Sequence, residues 1–252
     1  MSMLTPFFLA GPDGKHIRGD HSVGQGRQIL FITGFLSKRW GNKSKALAQW
    51  CHEQGWGFCC YDVRGFGDSE GQFTDYTLSD WLTDARTVLD SIQSGPPVTV
   101  VGNSLGSWIA WLVAQECPVV EELLLVAPAF NMMGERAKTI SKDRLHHWHT
   151  AGWMPWDDDP LHRDWPLSWK WVEESEQYWA KTFDVTRHVN TTILHGLHDT
   201  VIAPDGSRHF ADELRRRVPG FPLDLRLIQG DHRLSSPEHL ELFRRLVIRR
   251  EA

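Results

Sequence analysis

Residues 98–114 join two apolar runs through Gly102-Asn103-Ser104-Leu105-Gly106, and this junction constrains the fold more than any other stretch. The first run, Val98, Thr99, Val100 and Val101, is short and β-branched, which reads as a buried strand. The second, residues 105–114, is apolar almost all round, as in a helix packed beside a sheet. A strand that becomes a helix so abruptly needs a tight turn. A Cβ at Gly102 or Gly106 would crowd the strand or the helix, and glycine removes it. The turn holds the Ser104 hydroxyl clear of its neighbours, the strand–turn–helix setting in which a G-x-S-x-G serine acts as a nucleophile.

Around this junction the chain alternates short apolar runs with helical patterns. Strands read at residues 27–33, 57–62, 122–127, 191–195 and 223–229. Helical spacing links Ala46, Leu47, Trp50 and Cys51, and then Trp81, Ala85, Val88, Leu89 and Ile92. A helix follows around Phe210, Ala211 and Leu214, and a last one starts at Ser236-Pro237, a cap followed by proline at the first helical position. Alternation of this kind predicts an α/β fold with a mostly parallel central sheet and helices on both faces. One or two antiparallel edge strands are expected around the Gly11-Pro12-Asp13-Gly14 turn. The alternation stops over residues 130–186, too long for an ordinary connection. The division expected is a core of residues 1–129 and 187–252 with a cap or lid of 130–186 inserted after the sixth strand. The cap is expected to be helical and is rich in tryptophan: Trp148, Trp153, Trp156, Trp165, Trp169, Trp171 and Trp179 fall there, out of 13 in the chain.

Charge excludes some classes. The net charge is −5, and the basic runs Arg215-Arg216-Arg217 and Arg244-Arg245 sit among helix-like residues. They read as solvated faces, not as a nucleic-acid footprint. No stretch has the length of a membrane span. The four cysteines have no C-x-x-C pair and no framework spacing, and the first ten residues lack a charged segment before their apolar patch. A cytoplasmic setting is the expectation.

A serine hydroxyl needs a base, and the base needs a carboxylate. His232, in Gln229-Gly230-Asp231-His232, lies in a short loop after the last strand and is the candidate base. Asp199, just after the strand end at Ile193-Leu194-His195-Gly196, is the candidate acid, with Asp205 its competitor. Asp231 adjoins the histidine too closely to face its ring nitrogen. The preceding strand end, Ala127-Pro128-Ala129-Phe130, offers no acid. The chain order Ser, Asp, His completes the pattern. An oxyanion needs two donors. The backbone N–H of Leu105 is one candidate, and that of Phe35, in the Gly34-Phe35-Leu36-Ser37 loop, is the other. His195 and His198 read as structural or as supports of the site. His146, His147 and His149 read as solvent-facing, because no recognised zinc pattern is completed there. No metal and no cofactor are expected.

These residues, with Tyr61-Asp62-Val63-Arg64-Gly65-Phe66-Gly67-Asp68-Ser69, resemble the α/β-hydrolase superfamily over nearly the whole chain outside the tryptophan-rich segment. Phe31 to Ser37, Lys43 to Leu47 and Asp231-His232-Arg233 are similar to the branch containing mitochondrial acyl-protein thioesterases and their bacterial relatives. The resemblance implies esterase or thioesterase activity on a small-molecule ester or S-acyl substrate. Thr33 departs from the family, many members of which have histidine before the glycine. Two other classes stay open. A catalytically silent binding protein of the same fold would be expected to lack part of the triad. A dinucleotide-binding oxidoreductase would need G-x-G-x-x-G, and Glu70 stands where Gly65-Phe66-Gly67 requires the third glycine. The cap tryptophans would line an acyl or aryl pocket or build the cap's own core. Its acids (Asp157, Asp158, Asp159, Asp164, Glu173, Glu174 and Glu176) would disfavour strongly anionic substrates if they face the entrance.

Overall fold

A computed structural model of the chain describes residues 4–92, 95–156 and 165–248. The strands are β1 (Thr5–Ala10), β2 (His16–Ser22), β3 (Gln28–Ile32), β4 (Gly57–Tyr61), β5 (Val98–Asn103), β6 (Val120–Val126), β7 (Trp153–Trp156), β8 (Trp165–Ser168), β9 (Asn190–Gly196) and β10 (Leu223–Ile228). The helices are α1 (Asn42–Gln54), α2 (Leu78–Ile92), α3 (Leu105–Ala114), α4 (Met132–Thr139), α5 (Lys142–Ala151), α6 (Lys170–Lys181), α7 (Asp205–Arg217) and α8 (Pro237–Ile248).

Eight strands form one sheet in the order β1-β2-β4-β3-β5-β6-β9-β10. The β1–β2 hairpin and the β2–β4 pair are antiparallel. Every pair from β4 to β10 is parallel. Residues alternate between faces along each strand. Ile29, Phe31, Phe58, Cys60, Val101 and Leu124 pack with Leu47 and Cys51 of α1 and with Phe243 and Val247 of α8. Leu30, Ile32, Cys59, Tyr61, Val100 and Leu125 face the other way, onto α2 and α3. All five residues of β3 and of β4 are buried, which is why these strands read as unbroken apolar runs. After β3 the chain runs outward to β4, then returns past β3 to β5. The strand order therefore reverses between β3 and β5, and in open parallel sheets ligands bind outside the carboxyl ends of the strands at such a point.

The segment between β6 and β9 carries α4, α5 and α6, as expected of a helical insertion. It also carries an antiparallel two-stranded sheet of β7 and β8, which the sequence reading did not anticipate. Pro155 stands opposite Pro166 in that pair, so the strands carry the residue that normally argues against a strand. A sheet with only two strands has nothing but edges, and each proline turns its missing N–H outward.

Candidate active site

Ser104 caps α3 with φ 54° and ψ −121°, a backbone conformation that non-glycine residues rarely adopt. Strain of this kind costs on the order of 1–3 kcal/mol and persists only where the surroundings enforce it. Here the Ser104 N–H donates to the Val126 carbonyl at 2.8 Å, and the Ser104 carbonyl accepts from Ser107 and Ala129. The glycines act as the sequence suggests. A Cβ at Gly102 would lie 2.5 Å from the Ser107 Cα, and one at Gly106 would lie 2.3 Å from the Ile32 and Thr33 carbonyl oxygens.

The structure brings the three side chains singled out from the sequence into one chain of hydrogen bonds. His232 Nε2 lies 3.2 Å from Ser104 Oγ. His232 Nδ1 lies 2.7 Å from Asp199 Oδ2. The other carboxylate oxygen, Oδ1, accepts from the backbone N–H groups of Val201 at 2.9 Å and Ile202 at 2.8 Å. Burial pushes the Asp199 carboxyl up, but hydrogen bonds from His195, His232 and the Ile202 backbone outweigh it. Its pKa therefore lies well below the usual carboxylate range. Asp199 is an anion at neutral pH, placed to hold a proton on His232 Nδ1 and leave Nε2 to face the serine.

The competitors fall elsewhere. Asp205 is exposed and pairs with Arg208. Asp231 turns its Oδ1 onto the backbone N–H groups of Arg233 and Leu234, both at 3.1 Å, and so shapes the loop that carries His232. Lys43, in the first turn of α1, reaches the same loop and donates to the Arg233 carbonyl. His198 bonds Gln229 at 2.6 Å. His146, His147 and His149 are exposed, and His149 packs edge-on against Trp169. Among the described residues no three His, Cys, Asp or Glu side chains gather as a metal site. His195 is fully buried and contacts both Asp199 and Ser207. Ser207 carried no signal in the sequence, because a small polar residue on a helix looks like any other.

The Leu105 N–H belongs to the first turn of α3, where amides have no intrahelical acceptor. The loop after β3 passes directly over the serine: a Cβ on Gly34 would lie 3.1 Å from the Ser104 Cβ. Phe35 therefore starts beside Ser104, with Leu36 at φ 52° sharpening the bend. Its ring is gripped by four others, Phe73 and Trp81 from the core and Trp156 and Trp171 from the inserted segment, at centroid distances of 5.5–6.2 Å.

The inserted tryptophans serve mainly as packing. Trp148 and Trp171 are buried, and the Trp148 indole N–H donates to the Leu167 carbonyl at 2.9 Å. Trp165 packs on Phe66 and Phe73, while Trp153 is exposed. Two of the acids are engaged in hydrogen bonds with other elements. Glu174 accepts from Thr77 Oγ1 and from the Ser79 N–H at the start of α2. Glu176 accepts from Asn131 Nδ2. Glu173 is exposed, and Asp157, Asp158, Asp159 and Asp164 lie outside the described residues.

Residues 27–156, just over half of the chain, match the hydrolase family described as serine aminopeptidase, S33, and the chain belongs to that family. Its fold is the α/β-hydrolase fold. The chain is similar to the mitochondrial palmitoyl-protein thioesterase ABHD10 of Bos taurus, with 24% identity over 241 residues, 93% of this chain and 76% of the relative. Among solved structures it resembles mouse alpha/beta hydrolase domain-containing protein 10, with TM-score 0.85 and 23% identity, covering 96% of each chain. It also resembles Est1E of Butyrivibrio proteoclasticus with ferulic acid bound, with TM-score 0.77 and 20% identity, again covering 96% of each chain.

Proposed function

We propose that this chain hydrolyses carboxylic esters through an acyl-enzyme, with Ser104 as nucleophile, His232 as general base and Asp199 as the acid that orients it. The observation that carries the reading is the unbroken run of hydrogen bonds from Asp199 Oδ2 through His232 to Ser104 Oγ. Ser104 Oγ attacks the carbonyl carbon as its proton passes to His232 Nε2. Asp199 stabilises the imidazolium formed. The carbonyl oxygen gains charge and is held by the N–H groups of Leu105 and Phe35. His232 then returns the proton to the leaving alcohol. Water repeats the cycle, and the acid leaves.

Thioesters are the second reading, because the same steps expel a thiol and because ABHD10 is named a palmitoyl-protein thioesterase. In this proposal residues 130–186 cap a core of 1–129 and 187–252. The aromatic contacts of Trp156 and Trp171 on Phe35 support that division. The substrate is a small molecule or the acylated end of a larger one. Among the described residues no helix is long and apolar enough to cross a membrane. The four cysteines are free thiols, which suits a reducing compartment and fits the cytoplasm and the mitochondrial interior named for the relatives equally, so cell fractionation decides between the two.

The test is fluorophosphonate labelling and p-nitrophenyl ester turnover for wild type and Ser104→Ala. Wild type should label and turn over. The variant should lose labelling and at least about 10³-fold in kcat. A well-folded variant that keeps either one counts against Ser104. Matched ester and thioester series of one acyl chain then separate the two readings.

A further inference from the structure

We propose that His195 and Ser207 are positioning residues for the hydrolysis, fixing and tuning Asp199 and, through it, the base His232. This rests on the reading of Ser104, His232 and Asp199 given above. His195 stands in β9 and Ser207 in the first turn of α7, and both are fully buried. Neither touches a reacting atom, so their effect passes through Asp199.

The hydrogen bonds determine the state of the imidazole. His195 Nε2 lies 3.1 Å from Asp199 Oδ2 and 3.0 Å from the Ile202 carbonyl oxygen. Both are acceptors, so Nε2 carries a proton and shares it between them. His195 Nδ1 lies 2.7 Å from Ser207 Oγ. In its neutral form the imidazole has one N–H, so Nδ1 accepts and the Ser207 hydroxyl donates. Ser207 thereby selects the tautomer. The opposite tautomer would turn a bare nitrogen lone pair towards two oxygens. The titratable groups in this cluster are His195 itself, on β9, Asp199, on the loop after β9, and His232, on the loop after β10. The contribution from α7 is the neutral Ser207.

Two effects follow at Asp199. The first is orientation. Oδ2 is held between two imidazoles and Oδ1 by two backbone N–H groups, so the carboxylate cannot rotate away from His232. The second is electrostatic. The oxygen that accepts from His232 at 2.7 Å also accepts from His195, which draws negative charge away from His232. A carboxylate shared in this way stabilises the imidazolium less than an unshared one. The base then gives its proton more readily to the leaving group.

The experiment compares wild type, His195→Phe, His195→Gln and Ser207→Ala by the pH profile of kcat/KM on a short p-nitrophenyl ester. Each variant is checked by circular dichroism and labelled with fluorophosphonate. Loss of one charge-assisted hydrogen bond predicts a fall of about 10- to 100-fold for His195→Phe. Its acid limb should move to higher pH. The amide of His195→Gln can still reach Asp199 and should recover part of the rate. Ser207→Ala should lose several-fold, with its limb moved in the same direction. If His195→Phe does not fold, Ser207→Ala and His195→Gln carry the test. Folded variants with the wild-type rate and limb overturn the proposal. So does an equal loss at every pH with an unmoved limb, which marks a purely structural role. If Ser104→Ala keeps labelling and turnover, the site reading itself fails, whatever the His195 variants do.

Discussion

Lys43 shows how one side chain can set the position of His232, the proposed base, without touching it. Its ammonium donates to the Arg233 carbonyl and lies 3.4 Å from Ser235 Oγ, so α1 holds the loop that carries His232. Burial of the ammonium pushes Lys43 down to about 8, opposed by the Asp231 carboxylate and assisted by Arg233. Above that pH the charge that grips the carbonyl is lost. kcat/KM should therefore fall as pH rises through about 8. Lys43→Arg keeps its charge to far higher pH and should remove this alkaline limb. Lys43→Met should be slower at neutral pH as well. A pH-stat series settles it, and a wild-type profile flat from neutral pH into the alkaline range sinks the idea. Ser104, Asp199 and His232 were legible in the sequence because each follows a strand end, where residue type and chain order carry meaning. Lys43 and Ser207 were not legible as parts of a site. Their roles depend on what they face across the fold: Lys43 stood out only as the start of a stretch similar to the thioesterase branch, which assigns it no contact, and Ser207 has no local pattern to mark it.

The elements divide the inserted segment into a fixed part and a part held by ring contacts. α6 is fastened to the core by polar bonds. Glu174 accepts from Thr77 and Ser79 at the start of α2, and just beyond α6 Thr182 accepts the indole N–H groups of Trp108 and Trp111. The β7–β8 hairpin meets the core through aromatic faces, Trp156 on Phe35 and Trp165 on Phe66 and Phe73. Because Phe35 is the candidate oxyanion residue, its ring ties the placement of that N–H to the hairpin. Trp156→Ala removes one of four rings around Phe35. An aromatic pair contributes about 0.5–1.5 kcal/mol, so kcat should fall roughly 2- to 10-fold with a smaller change in KM. Trp153→Ala, an exposed residue of the same hairpin, should leave kcat within about twofold, as surface changes usually do. Equal effects of the two substitutions would sever the link between hairpin and oxyanion loop. The core elements were legible to within a residue or two, because buried parallel strands and amphipathic helices write their periods plainly. The hairpin was not, because Pro155 and Pro166 break the strand pattern and only their pairing makes them tolerable.

At the scale of the whole molecule, carboxylates tie separate parts of the sheet and its loops together, and they set how the protein meets acid. Asp13, on the β1–β2 turn, accepts from Tyr76 and pairs with Arg64. Burial opposes its ionisation, but these bonds hold it at about 2. Asp20, on β2, is lowered in the same way by Arg39, Trp40 and Arg18. Glu213 is held at about 2 by Arg216 and Arg217. Asp199 lies lower still. In the unfolded chain such groups titrate near pH 4. Below that pH the unfolded state binds more protons than the folded one, so stability falls as pH falls. Their contribution should be fully present above about pH 5 and lost progressively between about pH 4 and pH 2. Urea midpoints should drop steeply below about pH 4; between about pH 6 and 4 the buried Asp84, pushed up to about 6 against the pull of Arg64, works the other way and adds stability as pH falls. Asp13→Asn removes one share of this. At neutral pH its midpoint should lie below that of wild type, and the gap should close as the pH approaches 2. A wild-type midpoint that holds constant into that range, or a gap that does not close, would mean that these carboxylates do not link the hairpin to the core as their bonds imply.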